Sequence, residues 1–130
     1  MAMEQERLIP SAESLTVEFK SDHKAPLSDK DLVLTAVCLA NNQGGDLFLG
    51  VEDDGTVTGL HSSRDRNRDL AAVIASRTNP PLPVSATHLE ESGKELIWFQ
   101  VHPVHGTVFS SDRSEEQTSE LQSRQYLVCR

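Results

Sequence analysis

The apolar positions of this chain follow two different periods in its first half. Residues 15–20 alternate between apolar and polar side chains, which predicts a strand with one buried face. Between residues 28 and 41 the apolar residues recur at helical spacing, which predicts an amphipathic helix. Ser28 is placed to cap the beginning of this helix, and Gly44-Gly45 is a typical helix ending.

The second half of the chain is richer in strand patterns. Residues 46–52 are apolar almost throughout, which predicts a central strand covered on both faces. The further predicted elements are a turn and short strand at 53–58, a helix at about 64–77 and a hairpin at 84–89 and 95–101. The predicted order is β-α-β-β-α-β-β, a single α+β domain with a mixed sheet and two helices packed on it.

Composition bounds the class of protein. At 130 residues with 37% hydrophobic and 25% charged residues, the chain suits one globular core. No apolar run reaches the roughly 20 residues of a membrane span. The acidic N-terminus does not resemble a secretory signal, and Cys38 in an apolar helical run is expected to be a reduced thiol. These features predict a cytoplasmic protein with no membrane partner.

Net charge restricts how the chain could bind nucleic acid. Twelve basic residues against twenty acidic ones give a formal charge of -8, whereas phosphate-binding proteins usually carry a basic surface. Binding would therefore require a local basic patch or a metal ion that offsets the acids. The same charge favours a different class, a protein interaction or dimerisation domain, and a homodimer is one expected partner.

Acidic side chains accompany the two strands that the pattern predicts most clearly. Glu18 and Lys20 share the polar face of the first strand and Glu13 precedes it. Glu52, Asp53 and Asp54 lie at the end of the central strand, where the turn begins. If these strands are neighbours, their carboxylates converge as in Mg²⁺ or Mn²⁺ sites, and Lys20 could stabilise charge on a phosphate. A solvated strand face beside an acidic turn is the alternative reading of the same spacing.

Cationic side chains and glycine amides are the candidate phosphate contacts. The candidate nucleic-acid-binding residues are Lys20, Lys24, Gly44, Gly45, Arg64, Arg66 and Arg68. A helix cap for the glycines and a solvated helix start for the arginines are the competing interpretations.

Three motifs occur in order along the chain: E-x4-E-F-K at residues 13–20, A-N-x-x-G-G at 40–45 and G-V-x-D-x-G at 50–55. As a set they resemble the Schlafen AlbA-2 domain, and the resemblance covers residues 13–112. It implies a DNA-binding module at the N-terminal end of a transcriptional-regulator-like protein, whose further C-terminal domains are absent.

The resemblance also implies an alternative function. In animal Schlafen proteins a similar domain forms part of an RNA endonuclease with three metal-binding acids. Carried over by motif, the metal and catalytic residues are Glu13, Glu18 and Asp53, with Lys20 as the accompanying base. The alternative is therefore an endonuclease acting on RNA or DNA, dependent on Mg²⁺ or Mn²⁺.

Both ends of the chain are expected to lie outside the domain. Residues 1–12 are predicted to be a flexible lead. Residues 113–130 have no clear amphipathic period and are similar to the in-frame translation of a common sequencing adapter, departing at Gln117. This tail is therefore predicted to be non-native.

Overall fold

A computed structural model of the chain describes residues 10, 12–14, 16–104 and 106–110. The predicted tail and most of the predicted lead lie outside the described residues. The elements are β1 (Val17–Lys20), α1 (Asp29–Asn42), β2 (Gly45–Leu49), α2 (Leu70–Ser76), β3 (Thr78–Asn79), β4 (Val84–Glu91), β5 (Lys94–Val101) and β6 (Phe109–Ser110).

Four of these strands form one mixed sheet in the order β1-β2-β5-β4. β1 runs parallel to β2, which requires the crossover that α1 supplies, while β5 pairs antiparallel with both β2 and β4. β3 and β6 form a separate two-stranded ladder. The predicted α+β class and mixed sheet with two helices are confirmed.

Both helices pack on the same face of the sheet. Ser28 caps α1 by accepting the Asp31 N–H at 3.1 Å, as its position predicted. Buried residues of α1 and α2 form a continuous core with Leu47 of β2 and Phe99 of β5. Burial of this apolar stripe stabilises α1 where the sequence predicted it.

The opposite face of the sheet carries a second apolar cluster. Phe19, Phe48, Val51 and Leu96 are buried there, and Trp98 stacks on Phe48 with ring centroids 6.0 Å apart. Strand β2 thus contributes side chains to a buried cluster on each face, as its continuous apolar run predicted.

Two predicted elements and one cysteine differ from expectation. The second helix begins at Leu70 rather than near residue 64, because Asp69 caps it by accepting the Ala72 N–H at 3.1 Å. The strand predicted at 56–58 is reduced to a single bridge between Val51 and Val57. Cys38 is half-buried and disulfide-bonded, not the reduced thiol that was expected.

Within the described ranges, no helix is long and apolar enough to cross a bilayer.

Candidate functional site

The outer edge of β1 is closed by the residues that precede it. Ser14 and Val17 exchange backbone hydrogen bonds of 3.0 and 3.3 Å. Two residues further along β1, the Phe19 N–H donates to Glu13 Oε2 at 2.9 Å. Glu13 therefore satisfies a backbone donor on the strand edge, and this bond holds its carboxylate beside the peptide that joins Glu18 to Phe19.

Glu18 and Lys20 lie on the sheet face that carries the helices, since their paired residues on β2 are Leu47 and Leu49. Lys20 Nζ is 3.9 Å from Glu18 Oε2, and both side chains are about one-third exposed. At that distance and exposure the pair contributes little to stability. The shared face that the alternation predicted is present.

Two acids of the turn after β2, Glu52 and Asp53, differ in their contacts and exposure. Glu52 Oε2 accepts the hydroxyl of Ser21 at 2.8 Å and that of Thr58 at 2.6 Å, which joins the turn to the end of β1. Asp53 is exposed in the turn. Glu52, and not Asp53, is thus the acid of this turn that is hydrogen-bonded to Ser21, the residue after β1.

The resemblance implies a metal site formed by Glu13, Glu18 and Asp53. Across the described parts of the chain, no three or more His, Cys, Asp or Glu side chains form a group that could hold a metal ion. As placed here, Glu13, Glu18 and Asp53 therefore do not form such a group. The metal-binding role of these acids stays a prediction.

Arg64 is part of a buried ion pair. Asp22 is 0% exposed and receives Arg64 Nε at 2.8 Å and Nη2 at 2.6 Å, while the Arg64 side chain is only 7% exposed. The N–H groups of Leu27 and His61 donate to the same carboxylate at 2.7 and 2.9 Å. Arg64 therefore joins two loops and is not accessible to a phosphate in this conformation.

This environment sets the pKa of Asp22. Burial acts to raise the pKa, but the hydrogen bonds from Arg64, His61 and Leu27 outweigh burial and hold the pKa below its ordinary value. The carboxylate is thus charged at neutral pH despite complete burial.

The other two arginines of the predicted cluster also contact carboxylates. Arg66 Nε donates to Glu95 at 2.7 Å. Arg68 forms a two-pronged contact with Asp29 at 3.0 and 2.6 Å, and Arg77 approaches the same carboxylate at 3.6 Å. The hydrogen bond from Arg68 is the main reason that the pKa of Asp29 is lowered. The basic cluster is therefore largely neutralised by acids of the chain.

The two glycines after α1 are required by close packing. The Gly44 N–H donates to the Leu39 carbonyl at 2.7 Å, so this amide is already used. A Cβ at Gly44 would lie 2.7 Å from the Val101 carbonyl oxygen, and one at Gly45 would overlap the Thr16 backbone. Gly44 directly follows the cap residue Gln43 and so has the predicted helix-ending role, whereas Gly45 begins β2 and its close contact is with Thr16.

Three lysines remain accessible at the end of β1, in the loop that follows it and in the first turn of α1. Lys24 and Lys30 are exposed, and Lys20 is partly exposed. Lys30 was missed by sequence reasoning, as were Asp22 and Arg77. The available sequence signal for Asp22 was its place as a charged residue in the loop after β1. Its partner Arg64 lies 42 residues later, so local spacing could not predict the ion pair.

A family model shows to which protein family the chain belongs. The family model described as "Schlafen, AlbA_2" matches residues 13–125. The chain belongs to the Schlafen AlbA_2 family. This match continues past residue 112, where the sequence resemblance was expected to stop.

Solved structures share the fold of this AlbA_2 chain. The crystal structure of DIP2311 from Corynebacterium diphtheriae is 23% identical with a TM-score of 0.57, covering 76% of this chain and 20% of that one. The N-terminal domain of an ATP-dependent DNA helicase RecG-related protein from Nitrosomonas europaea is 24% identical with a TM-score of 0.54, covering 79% and 73%. This chain thus spans one fifth of the length of DIP2311. Among curated proteins no significant match was found.

Proposed function

We propose that this AlbA_2 domain is a nucleic-acid-binding module of a transcriptional-regulator-like protein, with DNA as its first expected ligand. The observation that carries the proposal is electrostatic. Arginines distant in sequence are paired with Asp22 and Asp29, while the lysines at the end of β1, in the following loop and at the start of α1 remain accessible.

Residues 18–31, here called the lysine segment, contain three lysines and four carboxylates, so alone they would carry a small negative charge. Asp22 is paired with Arg64, and Asp29 with Arg68 and Arg77. Adding these three arginines, the lysine segment and its ion-pair partners contain six cations and four acids, and the buried Arg64–Asp22 pair cancels within that count. A local positive surface of this kind is what binding to phosphates requires on a chain of net charge -8.

The comparisons support nucleic acid over a protein ligand. One neighbour in fold is the N-terminal domain of a protein named as related to a DNA helicase. Because fold alone does not determine function, this support is an analogy, and the lysine segment supplies the residues to be tested.

The test is fluorescence anisotropy of the full chain with labelled single- and double-stranded DNA and RNA over a series of salt concentrations. We expect binding that weakens with salt. In the double variant Lys20→Gln/Lys24→Gln the slope of log K against log salt should fall in magnitude by about 2 for duplex DNA, since each phosphate contact contributes about 0.9.

Lys94→Gln is the matched control, because Lys94 is an exposed lysine in the hairpin between β4 and β5, outside the lysine segment. It should leave the slope unchanged. Absence of binding by the wild-type chain at low salt would contradict the proposal. So would an equal loss of slope in Lys94→Gln and in the double variant.

A second candidate is the metal-dependent endonuclease. The observation in its favour is that Glu13 is held along β1 beside Glu18 and Lys20, so two of its three acids share one strand edge. Glu18→Gln is the variant of choice, because Glu13 also satisfies the backbone of β1. Cleavage of labelled RNA or DNA that needs Mn²⁺ and is lost in folded Glu18→Gln would support this candidate. Cleavage retained in that variant would refute it.

A further inference from the structure

The two outer edges of the sheet differ in how their backbone groups are satisfied. The edge of β1 is closed by Ser14 and by the Glu13 carboxylate. Strand β4 forms the other edge, pairs only with β5 in the described residues, and extends over 8 residues, about 27 Å. The residues at its middle, Ser85 to His88, are exposed. Among the described residues, nothing therefore covers the second edge.

The hairpin turn determines which residues of β4 present their backbone to solvent. Ser92 and Gly93 both have positive φ, 56° and 79°, as in the type I′ turn of two-residue hairpins. The pair that flanks such a turn, Glu91 and Lys94, is a hydrogen-bonded pair. Along the ladder between β4 and β5, hydrogen-bonded pairs alternate with pairs that form no backbone hydrogen bonds to each other. The N–H and C=O groups that point outward consequently belong to Val84, Ala86, His88 and Glu90.

No backbone partner for these four outward residues occurs among the described residues. Three devices that commonly block an edge strand, proline, lysine and a bulge, are also missing from β4, and its two charged residues, Glu90 and Glu91, lie at the end next to the turn. Its sequence, VSATHLEE, contains neither proline nor lysine, and its register with β5 is uninterrupted from Val84 to Glu91, so it carries no bulge. An edge of this length and regularity is a template for a further strand.

We propose that β4 binds β4 of a second copy of this chain, antiparallel, so that two four-stranded sheets join into one. The two-fold axis passes through Thr87, which faces Thr87 of the second copy. This register pairs Val84 with Glu90 and Ala86 with His88, so all four outward residues bond. It also separates Glu90 from Glu90 of the other copy, whereas like charges directly opposite would destabilise the pairing.

Net charge determines how this dimer responds to salt. Each copy carries -8, so two copies repel one another at low ionic strength. At about 0.5 M salt the Debye length is only a few ångströms, and most of this repulsion is screened. Dimerisation therefore strengthens with salt, opposite to the salt dependence of nucleic-acid binding, so the two properties can be tested independently.

Analytical ultracentrifugation of the full chain at low salt and at about 0.5 M salt tests the association. We expect a dimer whose dissociation constant falls at least about tenfold between the two conditions. A chain that stays monomeric at both salts would overturn the proposal, including the case in which the edge binds a peptide of another protein.

Cross-linking tests the register. Oxidised Thr87→Cys should form a covalent dimer, because residues facing each other across the axis in a pair without hydrogen bonds have Cα atoms about 4.5 Å apart, within disulfide range. Ser85→Cys is the matched control, since in this register residue 85 lies about 14 Å from residue 85 of the other copy. The unaltered chain shows any background. Equal cross-linking of both variants would refute the register.

Two substitutions test the edge itself. Ala86→Pro removes an outward N–H that β5 does not use, so the variant should fold as a monomer, while Ala86→Ser should still dimerise. Thr87→Lys places two cations face to face and should also abolish the dimer, and its exposed position keeps the monomer intact if the proline variant fails to fold. Circular dichroism confirms folding. Dimerisation that persists in folded Thr87→Lys would overturn the proposal.

Discussion

The buried carboxylate of Asp22 allows a sharp test of what joins the loops around the lysine segment. Replacing it by asparagine keeps the shape but removes the charge. Asp22 accepts four N–H groups, two of them from Arg64. The asparagine amide nitrogen is itself a donor, so it would face one of these donors, and Arg64 would be left as a buried charge without its counterion.

The magnitude follows from burial. Removing one partner of a buried ion pair costs about 3–5 kcal/mol, against a total stability of about 5–15 kcal/mol for a typical domain. Asp29→Asn is the matched control, because Asp29 contacts Arg68 through the same two-pronged geometry near the surface. Exposed pairs contribute about 0.2–1 kcal/mol, so the control should lose far less.

The assay is equilibrium unfolding in urea, followed by the fluorescence of Trp98, the single tryptophan of the chain. Asp22→Asn should shift the urea midpoint well below that of the wild-type chain, whereas the midpoint of Asp29→Asn should stay close to the wild-type value. Equal losses in the two variants, or a loss under about 1 kcal/mol in Asp22→Asn, would refute the assignment of a stabilising role to burial of this pair.

Acid provides a second measurement on the same group. The pKa of Asp22 is lower in the folded chain than its ordinary value of 3.8, so its stabilising contribution is fully present above pH 3.8. That contribution declines as the pH falls through the lower, folded-state pKa. The stability difference between the wild-type chain and Asp22→Asn should therefore be constant near neutral pH and narrow below pH 3.8. A difference that widens in acid would contradict the sign of the pKa shift.

Two further substitutions test packing at the end of α1. Gly45→Ala should cost more than about 3 kcal/mol in urea unfolding, because its Cβ overlaps the Thr16 backbone at a positive φ, whereas Gly93→Ala, with open space around it, should cost about 1–2 kcal/mol. Similar losses at both glycines would contradict the close-packing argument. Asn41→Asp should cost about 1–3 kcal/mol, because Asn41 Nδ2 donates to the Val108 carbonyl at 3.0 Å and a carboxylate there would leave that oxygen facing another acceptor. An unchanged urea midpoint would show that this bond is not stabilising.

Local signals were enough to predict the elements whose boundaries depend on nearby residues. Ser28 and the glycines at 44–45 bound α1 through contacts within a few residues, and the hairpin of β4 and β5 has its turn between two alternating runs. The order of these elements, with one crossover helix, restricted the fold to a mixed sheet.

What the sequence could not give are contacts between residues far apart along the chain. The helix predicted from residue 64 begins at 70 because Arg64 and Arg66 are bound to Asp22 and Glu95, and these contacts override helix propensity. Spacing also cannot show whether an arginine faces solvent or an interior carboxylate. The sequence therefore left two interpretations of the basic cluster open, a phosphate surface and a solvated helix start. Neither interpretation included the acids that its members contact.

Pairing of the central strand also has a kinetic consequence. Gly45 and Leu49 of β2 pair with Val101 and Ile97 of β5, which lie 56 and 48 residues later in the sequence. Closing a loop of that length costs chain entropy before any ladder contact compensates it, which makes such folding slow compared with that of local hairpins. During synthesis β2 can pair on only one side until residue 101 leaves the ribosome. Folding of this domain is therefore expected to wait until β5 has left the ribosome.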